Sequence, residues 1–377
     1  MRLAMISALA GVFSAQAVAA TTPEAAIDAI VSDYMAKTRT PGVSVAIGRG
    51  DAIRFKKGYG IADLESRTRV DPQTLFPTAS TFKPITATAI LRLAADGRLS
   101  LDDEVQKYCP AYPTKQWPVT IRQLLVHSGG VRHFTRDEIF NSRNFTGPSD
   151  VAKYVGESDL LFQPGSDRSY SNFGYSLLAC AIEGASGKAF GDYIGDFVIG
   201  RAAMTDTRPD MIYWVIPNRA RGYIIRTPQL TKQWDGLWQP AHLTSTLLDQ
   251  PFRADAVDYS MEIGAGGYLS TPSDLVRFGL ALTGERLLPK DALSKMLRPS
   301  VEGQDPVDGP IAWNTEPIGD RKIAAARVIG SDWTGSAGIM ILPNRNEAIS
   351  VMTNVGFNPP EKLIEDIWSA WETSNQP

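Results

Sequence analysis

The segment Ser80-Thr81-Phe82-Lys83 combines a serine and a lysine at a spacing that permits nucleophilic catalysis. The alanine- and leucine-rich stretch that follows, residues 84–96, predicts a helix. If Ser80 begins that helix, its side chain and that of Lys83 lie on one face, one turn apart. A serine hydroxyl is a weak nucleophile until a base takes its proton, and a lysine can be that base where its surroundings favour the neutral amine. We therefore predict Ser80 as the nucleophile and Lys83 as its activator; the alternative is a serine that only caps the helix.

A second polar group, Ser169-Tyr170-Ser171-Asn172, lies in a predicted loop. A phenol, a hydroxyl and an amide presented together are suited to the wall of a catalytic site. Tyr170 could exchange a proton with Ser80 and with a leaving group, and Asn172 could hydrogen-bond Lys83 or a substrate carbonyl. We predict Tyr170 as a catalytic residue and Asn172 as a substrate-binding residue. The alternative for Tyr170 is a half-buried aromatic ring with a satisfied hydroxyl.

A third group, Trp333-Thr334-Gly335-Ser336, stands at the edge of a predicted C-terminal strand. Because Gly335 has no side chain, a substrate could approach the backbone there, and the following N–H group could point at it. An oxyanion hole needs two such donors, and we predict the backbone N–H groups of Ser80 and Ser336. Trp333, Thr334, Gly335 and Ser336 are accordingly predicted to bind substrate or the oxyanion. The alternative for Trp333 is an aromatic anchor of the sheet edge.

Taken in order, the three groups resemble the three-motif pattern of the serine β-lactamase and penicillin-binding protein superfamily. The Tyr170-x-Asn172 pair resembles the class C-like branch in particular. Further stretches resemble that branch over nearly all of residues 24–357, among them Gly266-Gly267-Tyr268-Leu269-Ser270-Thr271-Pro272. The short stretches Val131-Arg132-His133-Phe134 and Pro217-Asn218-Arg219-Ala220-Arg221 look most like the mitochondrial serine β-lactamase-like proteins, regarded as proteases, and their bacterial relatives.

The resemblance implies a two-step acyl transfer through Ser80 that requires no metal or organic cofactor. One departure concerns the substrate: class C β-lactamases have Lys-Thr-Gly at the third motif, whereas this chain has Trp333, which cannot attract a carboxylate. The leading prediction is therefore a peptidase or amidase. A carboxylesterase stays open, because certain esterases of the superfamily carry tryptophan there, and so do a β-lactamase and a non-catalytic protein that binds peptidoglycan or a partner. The presence of Ser80, Lys83 and Tyr170 argues against the non-catalytic alternative.

Hydrophobic alternation near both termini predicts the framework that positions these groups. Strands are predicted at residues 43–47 and 52–57 and again at 323–329, 338–342 and 348–353, with a helix at each terminus. The fold class is α/β (α+β): a five-stranded antiparallel sheet is flanked by the terminal helices, and the middle of the chain is mainly helical. The sheet lobe is predicted at about 21–75 and 262–377 and an all-helical lobe at about 76–261. The resemblance implies that the site lies between the two lobes.

Residues 1–20 predict a cleaved secretory signal peptide. Arg2 is followed by a mostly apolar run, Leu3 to Phe13, and then by the small residues Ala17-Val18-Ala19-Ala20. The mature chain would begin near Thr21, as a secreted or periplasmic protein without a membrane span. The alternative is a buried N-terminal helix.

The charge pattern points away from nucleic acid. Acidic and basic residues are interspersed, and the formal net charge is −3. A small-molecule, ester or peptide substrate is the expected partner, and the oligomeric state stays open. The histidines, His127, His133 and His242, match neither a catalytic triad with a G-x-S-x-G elbow nor a zinc motif, so no metal or other cofactor is predicted.

Two further features receive no function from the sequence. Cys109 and Cys180 are interpreted as two small buried residues, although an oxidising compartment would allow them to pair. The long irregular stretches at residues 134–148 and 218–259 are unusual within a compact domain and are left without a role.

Overall fold

The computed structural model describes residues 22–139, 143–226, 251–254, 257–299, 306–319 and 322–374. The predicted signal peptide, its cleavage point and His242 lie outside these residues, as do parts of both long irregular stretches. Within the described residues, no helix combines the length and the apolar character needed to cross a membrane.

The two ends of the chain build one antiparallel sheet. The strands, in chain order, are β1 (Gly42–Arg49), β2 (Ala52–Asp63), β3 (Thr68–Arg69), β4 (Phe76–Pro77), β5 (Arg208–Pro209), β6 (Tyr223–Ile224), β7 (Phe252–Arg253), β8 (Tyr268–Ser270), β9 (Ala326–Ser331), β10 (Ser336–Leu342) and β11 (Glu347–Thr353). The main sheet has the order β3-β2-β1-β11-β10-β9. Its five long strands are the five predicted ones, which confirms the antiparallel sheet, and the two-residue β3 adds a sixth at one edge.

Helices cover both faces of this sheet. The helices of the described residues are α1 (Pro23–Thr38), α2 (Lys83–Ala95), α3 (Ile121–Leu125), α4 (Arg136–Ile139), α5 (Pro148–Gly156), α6 (Asn172–Ser186), α7 (Phe190–Ile194), α8 (Pro272–Thr283), α9 (Lys290–Met296) and α10 (Glu361–Ser374). The terminal helices α1 and α10 pack on one face through an apolar cluster that includes Ile27, Val45 and Ile367. Each such buried side chain contributes about 1.5–3 kcal/mol. Helix α8 covers the opposite face, where Gly279 allows close contact because a Cβ there would lie 2.7 Å from Ile341.

The helical region centres on α2 and α6, and a disulfide fastens it. Cys109 and Cys180 are bonded, with Cα atoms 5.3 Å apart, so their interpretation as separate thiols is wrong. Both residues are buried, but burial alone does not distinguish a small apolar thiol from a paired one. The two are 71 residues apart in sequence, and only the packing of α6 brings Cys180 to its partner.

Two helices near the predicted motifs begin differently from the prediction. Helix α6 already begins at Asn172, because the Ser171 hydroxyl caps it by accepting the Gly174 N–H at 2.9 Å. Ser80 does not cap α2; it lies in a 3₁₀ turn, Ala79–Phe82, which runs directly into α2 at Lys83. The simple capping role for Ser80 is therefore excluded.

Candidate active site

Ser80 lies on a strained turn between β4 and α2. Ala79, the residue before it, has φ 44°, a left-handed conformation that is unfavourable for a residue with a Cβ atom. Gly330 of β9 packs against this turn, and a Cβ on Gly330 would lie only 2.4 Å from Ser80 N and 3.0 Å from Thr81 N. Glycine at this position therefore lets the edge of the sheet reach the backbone of the predicted nucleophile.

Lys83 is only 3% exposed and extends from the first turn of α2 to Ser80. Its Nζ donates to Ser80 Oγ at 3.1 Å, to Asn172 Oδ1 at 2.7 Å and to the Ala265 carbonyl at 3.1 Å. The Asn172 and Ala265 oxygens can only accept. They therefore hold the amine in a fixed orientation within hydrogen-bond reach of the Ser80 hydroxyl, which is the geometry that a general base requires.

Tyr170 approaches the same hydroxyl from the solvent side. Its Oη lies 2.5 Å from Ser80 Oγ, and the side chain is 47% exposed. The Lys83 Nζ lies 4.7 Å from the centroid of the Tyr170 ring. The structure thus brings Ser80, Lys83, Tyr170 and Asn172, four of the predicted site residues, into one hydrogen-bonded cluster.

Two histidines hold the loop that ends at Asn172. His127 Nδ1 accepts the N–H of Ser171 at 3.1 Å, and His133 Nδ1 accepts the N–H of Asn172 at 3.2 Å. Burial, reinforced by the charge of Lys83, lowers the pKa of His127 to about 3 and that of His133 to about 4. Both rings are therefore neutral acceptors at neutral pH. Sequence reasoning missed this positioning role, because the bonded partners lie 44 and 39 residues away along the chain.

Ser336, a predicted oxyanion donor, lies inside the sheet. Its side chain is fully buried, and its Oγ lies 2.6 Å from Ser331 Oγ. The Asp332 N–H donates to the Gly335 carbonyl at 3.0 Å, so Asp332 and Gly335 form a hydrogen-bonded pair of the antiparallel ladder. Because hydrogen-bonded and non-hydrogen-bonded pairs alternate along such a ladder, the next pair, Ser331 and Ser336, is a non-hydrogen-bonded one. The N–H of Ser336 therefore faces β11, opposite Thr353, and is turned away from the site. This register corrects the prediction for Ser336.

The same alternation turns the N–H of Ser331 outward from β9, the edge strand. Arg327 of β9 exchanges both backbone hydrogen bonds with Asn314 on the outer side, at 2.8 and 2.9 Å. Every second residue of a strand points the same way, so the N–H of Ser331 is also directed away from β10. Ser331 lines the cavity at Ser80, and its neighbour Gly330 contacts the Ser80 backbone. The N–H groups of Ser80 and Ser331 are consequently the candidate oxyanion donors.

The rest of the third group forms the turn between β9 and β10. Asp332 Oδ1 accepts the N–H groups of Thr334 at 2.7 Å and of Gly335 at 2.9 Å. Trp333 is 4% exposed and lines the cavity at Ser80. Thr334 lines a separate cavity, and Gly335 is buried within the turn. The predicted group therefore divides, and only part of it faces the nucleophile.

Two cavities meet at Ser80 and Tyr170. The first cavity, of about 290 Å³, contains the carboxyl groups of Glu262 and Asp332 and is otherwise lined by Ala79, Ser80, His133, Phe134, Ile139, Tyr170, Asn172, Tyr259, Ser331, Trp333 and Phe357. The second cavity, of about 460 Å³, is lined by the charged residues Lys83, Arg168 and Glu316, by polar residues, and by apolar residues that include Val328 and Ile329 of β9. A substrate whose carbonyl lies at Ser80 can therefore extend in two directions.

Comparison with known proteins places this site in context. A model of the family described as Beta-lactamase matches residues 27–370. Protein flp of Staphylococcus aureus (strain COL) is 31% identical over 219 residues, which cover 56% of this chain and 44% of that protein. The serine beta-lactamase-like protein LACTB, mitochondrial, of Homo sapiens is 26% identical over 311 residues, which cover 64% and 53%. The chain thus spans about half the length of the curated relatives it matches.

Solved structures share the fold at lower identity. The D-amino acid amidase from Ochrobactrum anthropi SV3, complexed with L-phenylalanine, has a TM-score of 0.78 at 23% identity and matches over 94% of this chain and 100% of that one. The octameric penicillin-binding protein homologue from Pyrococcus abyssi has a TM-score of 0.73 at 22% identity, over 93% and 77%. Together with the family match, these likenesses confirm the predicted sheet with its flanking helices and helical region.

Proposed function

Because the chain belongs to the Beta-lactamase family, whose members are typically serine hydrolases, we propose that it is a serine amidase or peptidase that acts through an acyl-enzyme on Ser80. One observation carries the proposal: Ser80 Oγ contacts Tyr170 Oη at 2.5 Å and Lys83 Nζ at 3.1 Å. A nucleophile within hydrogen-bond reach of its base, with that base oriented by further groups, is the arrangement that covalent catalysis needs.

In the acylation step, Ser80 Oγ forms a bond to the carbonyl carbon while its proton passes to Lys83 with the help of Tyr170. The carbonyl oxygen becomes an oxyanion, which the N–H groups of Ser80 and Ser331 stabilise. One such donor contributes about 2.7–4 kcal/mol to the transition state. The bond to the leaving group then breaks, and Tyr170 returns a proton to the departing nitrogen or oxygen.

In the second step, water attacks the acyl carbon and gives its proton to Tyr170 and Lys83. The bond between Ser80 Oγ and the acyl group breaks, the oxygen regains a proton, and the carboxylic acid product leaves. In both steps, every protein group that gives or accepts a proton belongs to the hydrogen-bonded cluster of Ser80, Lys83 and Tyr170.

A carboxylesterase is the second candidate, and the second cavity favours it. The β9 side chains that line this cavity, Val328 and Ile329, are apolar, which suits a neutral leaving group. A β-lactam would need a cation for its carboxylate, and Arg168 lines the same cavity. The three substrate classes therefore need a direct comparison.

A substrate panel makes that comparison. Aminoacyl and peptidyl nitroanilides, nitrophenyl esters and a chromogenic cephalosporin are offered to the wild type and to Ser80→Ala. We expect hydrolysis of nitroanilides that the variant loses. Hydrolysis of esters alone would replace the amidase by an esterase, and cephalosporin turnover with kcat on the order of 10 per second would indicate a β-lactamase. Equal activity of Ser80→Ala would contradict the nucleophile assignment.

We also propose that the protein is exported. The signal-like composition of residues 1–20 supports this, and the Cys109–Cys180 disulfide is typical of an oxidising compartment. Fractionation of bacteria that express the full chain, followed by N-terminal sequencing, should find a chain in the periplasm or medium that begins near Thr21. A cytoplasmic chain that retains Met1 would refute export.

A further inference from the structure

We propose that the first cavity binds a protonated amino group of the substrate, so that the bond cleaved belongs to an amide or ester of an amino acid or peptide with a free amine. The proposal rests on the proposed function, because it names the substrate class of the same site. Its basis is the pairing of two carboxyl groups with aromatic walls directly beside Ser80.

The first carboxyl group belongs to Glu262, on the 3₁₀ turn Tyr259–Glu262. It is 9% exposed and lines the first cavity. A hydrogen bond joins it to Asn172, whose other amide atom, Oδ1, accepts from Lys83 at 2.7 Å. Only the Asn172 side chain therefore separates Glu262 from Lys83 in space, and a ligand that contacts Glu262 also lies close to Ser80.

The second carboxyl group belongs to Asp332, at the turn that follows β9. The Thr334 hydroxyl and the N–H groups of Thr334 and Gly335 all bond to Oδ1, at 3.1, 2.7 and 2.9 Å. The Tyr259 hydroxyl also hydrogen-bonds the Asp332 side chain, so its orientation is fixed while the carboxyl group borders the cavity. An ammonium group supplies up to three N–H donors, enough to contact both carboxyl groups.

The charge of Lys83, which in part offsets the burial that raises the pKa of Glu262, lies behind Asn172 and outside the lining of the cavity. None of the described residues that line it is a lysine or an arginine, and His133 is neutral. Burial raises the pKa of Glu262 to about 7 and that of Asp332 to about 6. A bound ammonium would supply the missing charge, since buried carboxylates are favourable only when they are paired and hydrogen-bonded.

The walls of the cavity suit the rest of such a substrate. Trp333 and Phe357 meet edge to face with ring centroids 5.2 Å apart, and Phe134 and Tyr259 complete an aromatic lining. Aromatic faces attract ammonium groups and also accept an apolar side chain. The cavity therefore combines what an amino acid residue with a free amine presents: a cation and a hydrophobic side chain.

The test compares phenylalanine nitroanilide with its N-acetyl derivative, each as the L and the D isomer, at pH 7. For the preferred isomer, we expect the wild type to show kcat/KM at least about tenfold higher for the free amine, the factor that a charge-assisted hydrogen bond supplies. Glu262→Gln and Asp332→Asn should each lower this ratio about tenfold. Asn keeps Oδ1, so the turn after β9 retains its acceptor.

Asp274→Asn is the matched control. Asp274 is another buried carboxyl whose pKa is raised by burial, but it pairs with Arg277 on α8 and lines neither cavity at Ser80, so this variant should keep the wild-type ratio. Thermal unfolding identifies any variant that does not fold, and either Glu262→Gln or Asp332→Asn suffices for the test. A wild type that prefers the N-acetyl substrate, or two folded variants with an unchanged ratio, would overturn the proposal.

Fluorophosphonate labelling of the same samples separates this failure from failure of the proposed function. If Ser80 is labelled but kcat/KM is no higher for the free-amine substrate, the proposed hydrolase is supported and the amine-binding site is refuted. If no substrate is cleaved and Ser80 is not labelled, both proposals fall.

Discussion

The two cavities that meet at Ser80 differ in charge. Glu262 and Asp332 give the first cavity an acidic character, whereas Arg168 lines the second. Glu316 also borders the second cavity, but it forms an ion pair with Arg327. The contrast gives a bound substrate a direction: an amino end fits the first cavity, and a leaving group that is neutral or carries a carboxylate fits the second.

Lys83→Met should have the largest effect, because it removes the proposed base of Ser80, the residue at which both cavities meet. Methionine preserves the volume of the buried stem but cannot accept the Ser80 proton. We expect kcat to fall about 10²–10⁴-fold, and equally for free-amine and N-acetyl substrates. Retention of more than about a tenth of wild-type kcat would exclude Lys83 as the general base.

Gly330→Ala should come next. A Cβ at residue 330 would lie 2.4 Å from Ser80 N, so β9 and the nucleophile turn must move apart and the two oxyanion donors lose their spacing. Displacements of this kind lower kcat about 10²-fold, and KM should change little. Gly195→Ala is the control, since a Cβ there meets nothing within 4 Å. Steady-state kinetics that show equal kcat for both variants would contradict the proposed oxyanion site.

Glu262→Gln should change how stability depends on pH. The folded-state pKa of Glu262, about 7, lies above its ordinary value of 4.5, so the stability linked to its proton is present at low pH and lost as the pH rises through 7. Relative to the wild type, the variant should gain up to about 3 kcal/mol between pH 5 and pH 8. Urea unfolding at both pH values measures the gain. A difference between the two proteins that does not depend on pH would show that Glu262 is not held in its neutral form.

Arg168→Gln should have the smallest effect, because exposed ion pairs contribute little. For a dipeptide substrate with a free C-terminal carboxylate, we expect kcat/KM to fall about two- to fivefold. The C-terminally amidated dipeptide should be unaffected and serves as the control substrate. An equal loss of kcat/KM for both dipeptides would contradict the proposal that Arg168 binds the C-terminal carboxylate of a leaving group in the second cavity.

The sequence suffices for the parts of the site that depend on local spacing. Ser80 and Lys83 are three residues apart where a 3₁₀ turn enters α2, and Tyr170 and Asn172 are two residues apart where a loop enters α6, so short-range geometry brings each pair together. That Ser331, and not Ser336, directs its N–H group into the site depends on which residues form the turn between β9 and β10. A shift of one residue in the strand register would reverse the direction of every N–H group. Alternating hydrophobicity does not reveal that turn.

Long-range packing accounts for the other features that the sequence did not reveal. The bonds from His127 and His133, the Cys109–Cys180 disulfide and the contact of Gly330 with Ser80 all join segments that are distant along the chain. None of them has a characteristic spacing. Glu262 is another case, since its place in the cavity depends on how the turn Tyr259–Glu262 packs against α6.

The most direct test of the central claim is labelling with a fluorophosphonate, followed by tryptic mass spectrometry. We predict one phosphonyl group per chain, on the peptide that contains Ser80, and none on Ser80→Ala. Labelling of Ser80→Ala to the extent of the wild type, or a phosphonyl group on another residue, would contradict acyl transfer through Ser80.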